Sequence, residues 1–138
     1  MKEKAVELLR ELTNAHAVSG HEDEVRGIFA HELKGIGEFT TDKNGSIACE
    51  RGLSGPKVLF AGHMDEVGFL VQHITPDGFI KFLPVGGWWT HNLLAQKVVV
   101  KTQDGNKVEG VISSKPPHFL PDRPLSILQF ADNRVSYI

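Results

Sequence analysis

Residues 58–70 read VLFAGHMDEVGFL. An apolar run, Val58 to Ala61, meets Gly62 and then delivers His63, Asp65 and Glu66 before turning apolar again. An imidazole can present a neutral ring nitrogen to a metal ion, while a nearby carboxylate orients that ring or another reacting group. On an extended backbone His63 and Asp65 point to the same side, because side chains alternate with period two. The plainer alternatives are a solvated or core-satisfied imidazole at His63 and a solvated carboxylate at Glu66.

One imidazole does not make a metal site. A catalytic zinc keeps three protein ligands and an open position, and a paired site needs a carboxylate shared by both ions. Asp132, in Phe130-Ala131-Asp132-Asn133-Arg134, follows the apolar stretch from Leu125 and is the candidate for that shared group. A turn or helix cap is its structural alternative. His16, His21, His31, His73, His91 and His118 read as structural or surface residues. Gly86-Gly87-Trp88-Trp89 offers either a substrate platform or core and interface packing. Adjacent aromatics on a strand face opposite ways, so one suits packing and the other an interface. No Gly-x-Ser-x-Gly elbow is present, and Gly52 to Lys57 lacks the phosphate-loop pattern, so serine hydrolase and nucleotide chemistry fall away.

These groups need elements to hold them. Val6, Leu8, Leu9 and Leu12 at helical spacing predict an amphipathic helix over 3–13, and Ala17-Val18-Ser19-Gly20-His21 breaks it. A second helix is expected from Glu22 to Leu33, introduced by Ser19 or His21, with Glu22, Asp23 and Glu24 complementing its dipole and Gly35 and Gly37 ending it. Phe39 to Thr41 and Ile47 to Cys49 flank an Asn-Gly turn and predict a hairpin. Lys57 to Ala61, apolar on both faces, predicts a strand inside a sheet covered by helices, with His63 just beyond its carboxyl end, where α/β proteins gather functional groups. These elements indicate an α/β layer arrangement. From Val67 the chain reads as all-β. Val67–Ile74 with Phe79–Val85, and Gln96–Thr102 with Lys107–Ile112, form two hairpins that suggest a small barrel. The composition shift near residues 68–75 marks the expected domain boundary.

The chain has 138 residues, room for one domain or two very small ones, with 41% hydrophobic and 23% charged residues and a formal charge of −2. That charge and the lack of a basic cluster give no expectation of nucleic acid or an anionic membrane as partner. No apolar stretch approaches the ~20 residues that span a bilayer, and the N-terminus has no signal-peptide pattern. Cys49, the single cysteine, forms no internal disulfide and reads as a packed strand residue; a cytoplasmic protein is expected.

Taken in order, HAVSGHEDEVR, AGHMDEVGFLV, GFIKFLPVGGWW, LLAQKV and GVISSKPPHFL resemble the tetrahedral or glutamyl-aminopeptidase family of dinuclear metallopeptidases, over about residues 5 to 120. The resemblance implies an α/β catalytic domain holding two zinc or cobalt ions, with an inserted small β-barrel domain that mediates assembly. Family members commonly form dodecameric shells, and some are labelled endoglucanases. On this basis residues 1–69 match the N-terminal part of the catalytic domain, 70–120 an incomplete β-barrel assembly domain, and 121–138 a return segment to the catalytic sheet. His63 matches a metal ligand, Asp65 the acid that orients the metal centre, and Asp132, within ADNRVS, the bridging carboxylate.

The departures are as informative. Between Leu120 and Ala131 the family has a much longer stretch, bridged here by Pro121 to Leu125. The Glu-Glu pair that supplies the general base and a ligand, and the later Asp and His ligands, have no recognisable counterpart. The expectation is therefore an abbreviated or incomplete aminopeptidase acting on the N-terminal residues of peptides, weakly active or inactive alone. The alternative is a non-catalytic assembly module with a vestigial site. A glycosidase using Asp65 and Glu66 is disfavoured, because adjacent strand residues diverge whereas such enzymes need carboxyls facing each other across ~5–9.5 Å.

Overall fold

The computed structural model describes residues 2–52 and 54–114, the side chain of Thr90 excepted. Lys115 to His118, the 121–138 segment and Asp132 therefore lie outside the described residues. The chain divides into two compact units between Val67 and Gly68.

The first unit begins with α1 (Lys2–Asn14) and α2 (Asp23–Glu32). Along α1, Leu8 and Leu12 are half-buried while Val6 and Leu9 are exposed, so the apolar stripe is only partly covered. Glu22, not Ser19 or His21, is the N-cap of α2, and Asp23 and Glu24 occupy its first turn. Next comes a hairpin of β1 (Glu38–Thr41) and β2 (Ile47–Glu50), antiparallel with Phe39 opposite Cys49. Phe29 of α2 meets Phe39 edge-on at 6.4 Å, and the Arg26 guanidinium donates to the Gly45 carbonyl at 3.0 Å. A Cβ on Gly37 would sit 2.3 Å from the Glu50 carbonyl oxygen, so only glycine permits this close approach.

The predicted strand over Lys57–Ala61 is not formed. No residue of that stretch belongs to a strand, and Val58, Leu59 and Phe60 are 76%, 85% and 93% exposed. The reason is cooperative. A buried strand needs neighbours for its ladder hydrogen bonds and cover for both faces, and no strand pairs with this segment among the described residues.

The second unit contains β3 (Gly68–Ile74) and β4 (Ile80–Val85), antiparallel with a bulge between Val71 and His73, then β5 (Lys97–Lys101) and β6 (Lys107–Val111), also antiparallel. Phe82, Leu93 and Ile112 form its buried cluster, with Phe69, Trp88 and Val98 packed against it. Phe69 stacks on Trp88 at 4.7 Å and meets Phe82 edge-on at 4.6 Å. The Trp88 indole N–H donates to the Gly68 carbonyl at 2.9 Å, satisfying the polar end of a half-buried ring. The described strands form three separate two-stranded sheets.

All three hairpins turn by one device, a four-residue segment ending in Asn-Gly or Asp-Gly whose first side chain accepts a backbone amide across the turn. Asp42 Oδ1 accepts from the Asn44 and Ser46 amides, each at 2.9 Å. Thr75 Oγ1 accepts from Phe79 at 3.0 Å and Thr102 Oγ1 from Asn106 at 3.1 Å. Gly45 has φ 89°, a conformation open to glycine and costly for other residues. No described helix is long and apolar enough to cross a membrane.

Candidate functional site

His63 sits on a stretch outside any strand, its side chain 85% exposed. Its Nδ1 lies 3.0 Å from the Asp65 carbonyl oxygen and 3.3 Å from Asp65 Oδ1. His63 and Asp65 are thus in contact although the strand is not formed, because two residues so near in sequence need no neighbouring strand to meet. With Nδ1–H donating to Asp65, the other ring nitrogen, Nε2, carries the lone pair and is left to face a ligand.

Glu66 behaves differently. Its own N–H donates to the Ala17 carbonyl at 2.8 Å, and its Oε1 accepts from the Ala17 N–H at 2.9 Å. Val18 and Glu66 also form an isolated parallel bridge. Ala17 is 2% exposed, so both its polar backbone groups need these partners. In the same loop, Glu24 Oε2 accepts from the His16 amide at 3.0 Å and Glu22 Oε1 from the Gly20 amide at 2.7 Å. Glu66 is therefore not merely solvated, since one of its carboxylate oxygens is committed to the Ala17 amide. Sequence reasoning missed this contact because its partners stand 49 positions apart with no local signal.

A divalent ion needs more donors than one imidazole. Among the described residues no group of three His, Cys, Asp or Glu side chains is arranged to hold a metal. His63, backed by Asp65, has the chemistry of one coordination position; the donor set is not completed by the described residues, and Asp132 is outside them. Of the other described histidines, His16 is half-buried at the start of the 16–20 loop, His21 is exposed before α2, His31 is exposed on α2, His73 is exposed on β3, and His91 lies edge-on to Trp89 at 5.8 Å. Trp88 packs on Phe69, and Trp89, also outside any strand, is 69% exposed.

The family model for M42 glutamyl aminopeptidase matches residues 44–126, and a second model, AMPT, matches residues 3–29. Lysyl aminopeptidase of Pyrococcus furiosus is 36% identical over 114 residues, covering 81% of this chain and 33% of that protein. The crystal structure of a TET aminopeptidase from a marine-sediment Thaumarchaeota archaeon superposes with a TM-score of 0.83 at 40% identity, covering 97% of this chain and 38% of the other. The TET1 peptidase of Pyrococcus horikoshii, described as assembling into a tetrahedron or a large octahedral shell, gives a TM-score of 0.74 at 33% identity, covering 89% of this chain and 37% of its own. The chain thus spans about a third of the length of the curated relatives it matches. Since one family model takes in residues 44–126, more than half of the chain and His63 and Asp65 with it, the chain belongs to the M42 glutamyl aminopeptidase family of mixed α/β peptidases.

Proposed function

We propose that this chain supplies part of the centre of a metal-dependent aminopeptidase that removes N-terminal residues from peptides. His63 acts as a metal ligand, Asp65 as the acid behind it, and Asp132 as the carboxylate shared between two divalent ions, zinc or cobalt. The observation that carries this is the engagement of His63 Nδ1 by Asp65, which reserves Nε2 for a cation, at a position inside the M42 match. Such ions, when bound, polarise the scissile carbonyl and lower the pKa of a water molecule. Asp65 holds the Nδ1 proton and so selects the tautomer and aim of the ring.

In the same reading residues 1–69 belong to the catalytic α/β domain, 121–138 return to it, and 70–120 belong to a barrel-like domain that contacts other subunits of a homo-oligomeric shell, a dodecamer by resemblance, in the cytoplasm. The shells described for the Pyrococcus horikoshii peptidase and the exposed Trp89 support the assembly role. Alone, the 138-residue chain turns over peptide substrates at close to background, since its described residues offer one imidazole position and no three-group cluster.

The test is a zinc titration of the purified chain followed by NMR of the histidine rings, with an aminoacyl-anilide assay alongside. His63 resonances shift on adding zinc, the response disappears in His63→Ala, and turnover stays near background. Robust turnover that vanishes in His63→Ala would overturn the low-activity expectation. A His63 ring indifferent to zinc, together with a defined oligomer unaffected by chelator, would favour the assembly module instead.

A further inference from the structure

We propose that Glu66 is a positioning residue that anchors the His63–Asp65 segment to the loop joining α1 and α2, an inference that rests on His63 being the metal-facing imidazole. The segment needs such an anchor. Residues 57–65 belong to no strand, and His63 is 85% exposed, so neither a ladder nor a packed core determines where the ring stands.

Glu66 answers that need with a two-point grip. Its main-chain N–H and its carboxylate take both polar groups of Ala17, at 2.8 and 2.9 Å, and Val18 closes the parallel bridge beside them. Two hydrogen bonds to one residue set orientation as well as distance, because rotation about either bond breaks the other. Ala17 is a firm partner, 2% exposed, and the preceding residue is tied to α2 through the His16 amide and Glu24 at 3.0 Å. The two adjacent acids divide the contacts: Asp65 meets the His63 ring while Glu66, the next residue, meets Ala17. Asp65 therefore aims the ring and Glu66 holds the backbone that carries it.

The decisive property is acceptance of the Ala17 N–H, which glutamine retains and alanine lacks; aspartate keeps the charge but is one methylene shorter. The experiment compares Glu66→Gln, Glu66→Asp and Glu66→Ala with His63→Ala in the 138-residue chain. Three readouts are taken: hydrogen exchange at the Ala17 amide, the nitrogen-proton signature of the His63 ring tautomer without metal, and the zinc affinity of that ring. In Glu66→Ala and Glu66→Asp the Ala17 amide loses protection, the Nδ1–H signature of His63 averages, and zinc binding weakens by about tenfold, the lower end of what loss of an outer-shell partner costs. Glu66→Gln preserves all three.

Equal losses in the Gln and Ala variants would overturn the proposal by assigning the effect to charge. Parental His63 behaviour in Glu66→Ala, with zinc binding still removed by His63→Ala, would also overturn it. Zinc binding indifferent to His63→Ala would instead sink the metal-ligand assignment, and the metal-free ring signature would still decide the role of Glu66.

Discussion

In the second unit, Phe82, Leu93 and Ile112 are 2%, 7% and 4% exposed, whereas the longest apolar run of the first unit, around Val58, Leu59 and Phe60, stands in solvent at 76%, 85% and 93%. Both regions are rich in β-branched and aromatic residues, so composition does not separate them. Range does. The second unit is built from hairpins whose partners lie within a few residues, and local pairing carries a small entropic cost of loop closure. Phe69 and Phe82 meet because one turn, Thr75 to Gly78, folds β3 onto β4. The 57–61 segment has the composition of a central strand but no neighbour beside it among the described residues. Apolar character states that a segment should be covered; it does not supply the cover.

The contrast can be broken most severely at Phe82. Phe82→Ala should cost about 3–5 kcal/mol, the usual loss for emptying a buried aromatic position, which is a large share of the stability of any small fold. Both tryptophans lie in this unit, so urea unfolding followed by tryptophan fluorescence reads the effect, and a midpoint close to the parental one would show that the cluster contributes little.

Acid provides a gentler discrimination between the units. The Asp42 carboxyl is held below the usual carboxylate range by the Ser46 backbone N–H first and the Ser46 hydroxyl second, with the Asn44 and Gly45 amides adding and partial dehydration opposing. A carboxyl whose pKa is depressed on folding contributes in full above its unfolded value, and the contribution is lost as pH falls through the folded value. The β1–β2 turn should therefore loosen below about pH 4, the ordinary carboxylate region. The β3–β4 and β5–β6 turns rest on Thr75 and Thr102 hydroxyls, which do not titrate there, and should stay closed. Amide shifts of Ser46, Phe79 and Asn106 followed from neutral to acidic pH test this. Asp42→Ala removes the acid response of Ser46, and an acid shift at Ser46 that persists in Asp42→Ala would show that Asp42 is not the cause.

The smallest effect is expected where the apolar surface is greatest. Phe60→Ser should change unfolding free energy by no more than about 0.5 kcal/mol, as for other exposed positions, and should reduce self-association by removing an exposed aromatic from an unpaired segment. Urea titration and light scattering check both. A loss comparable to that of Phe82→Ala would mean that Phe60 is packed in solution, and the contrast between the units would vanish.

Much of this molecule was legible one element at a time. The helices at Lys2–Asn14 and Asp23–Glu32 and the three hairpins follow the predicted spans closely, since helical spacing and Asn-Gly or Asp-Gly turns are local signals. The His63–Asp65 juxtaposition was legible for the same reason. The 57–61 strand was misjudged because a run of apolar side chains shows appetite for burial and not the presence of partners. The Glu66–Ala17 grip was invisible, since nothing near Glu66 announces a buried amide far back in the chain.

By itself, then, the amino-acid sequence determined the period of each helix, the position of each turn and the order of motifs that the M42 family model matches, because all of these depend on neighbours along the chain. Tertiary structure alone decided which apolar residues are covered and which carboxylate grips backbone instead of facing solvent. Those outcomes depend on groups brought together across the fold, where the free energy of burying an amide or a phenyl ring is set by what lies opposite.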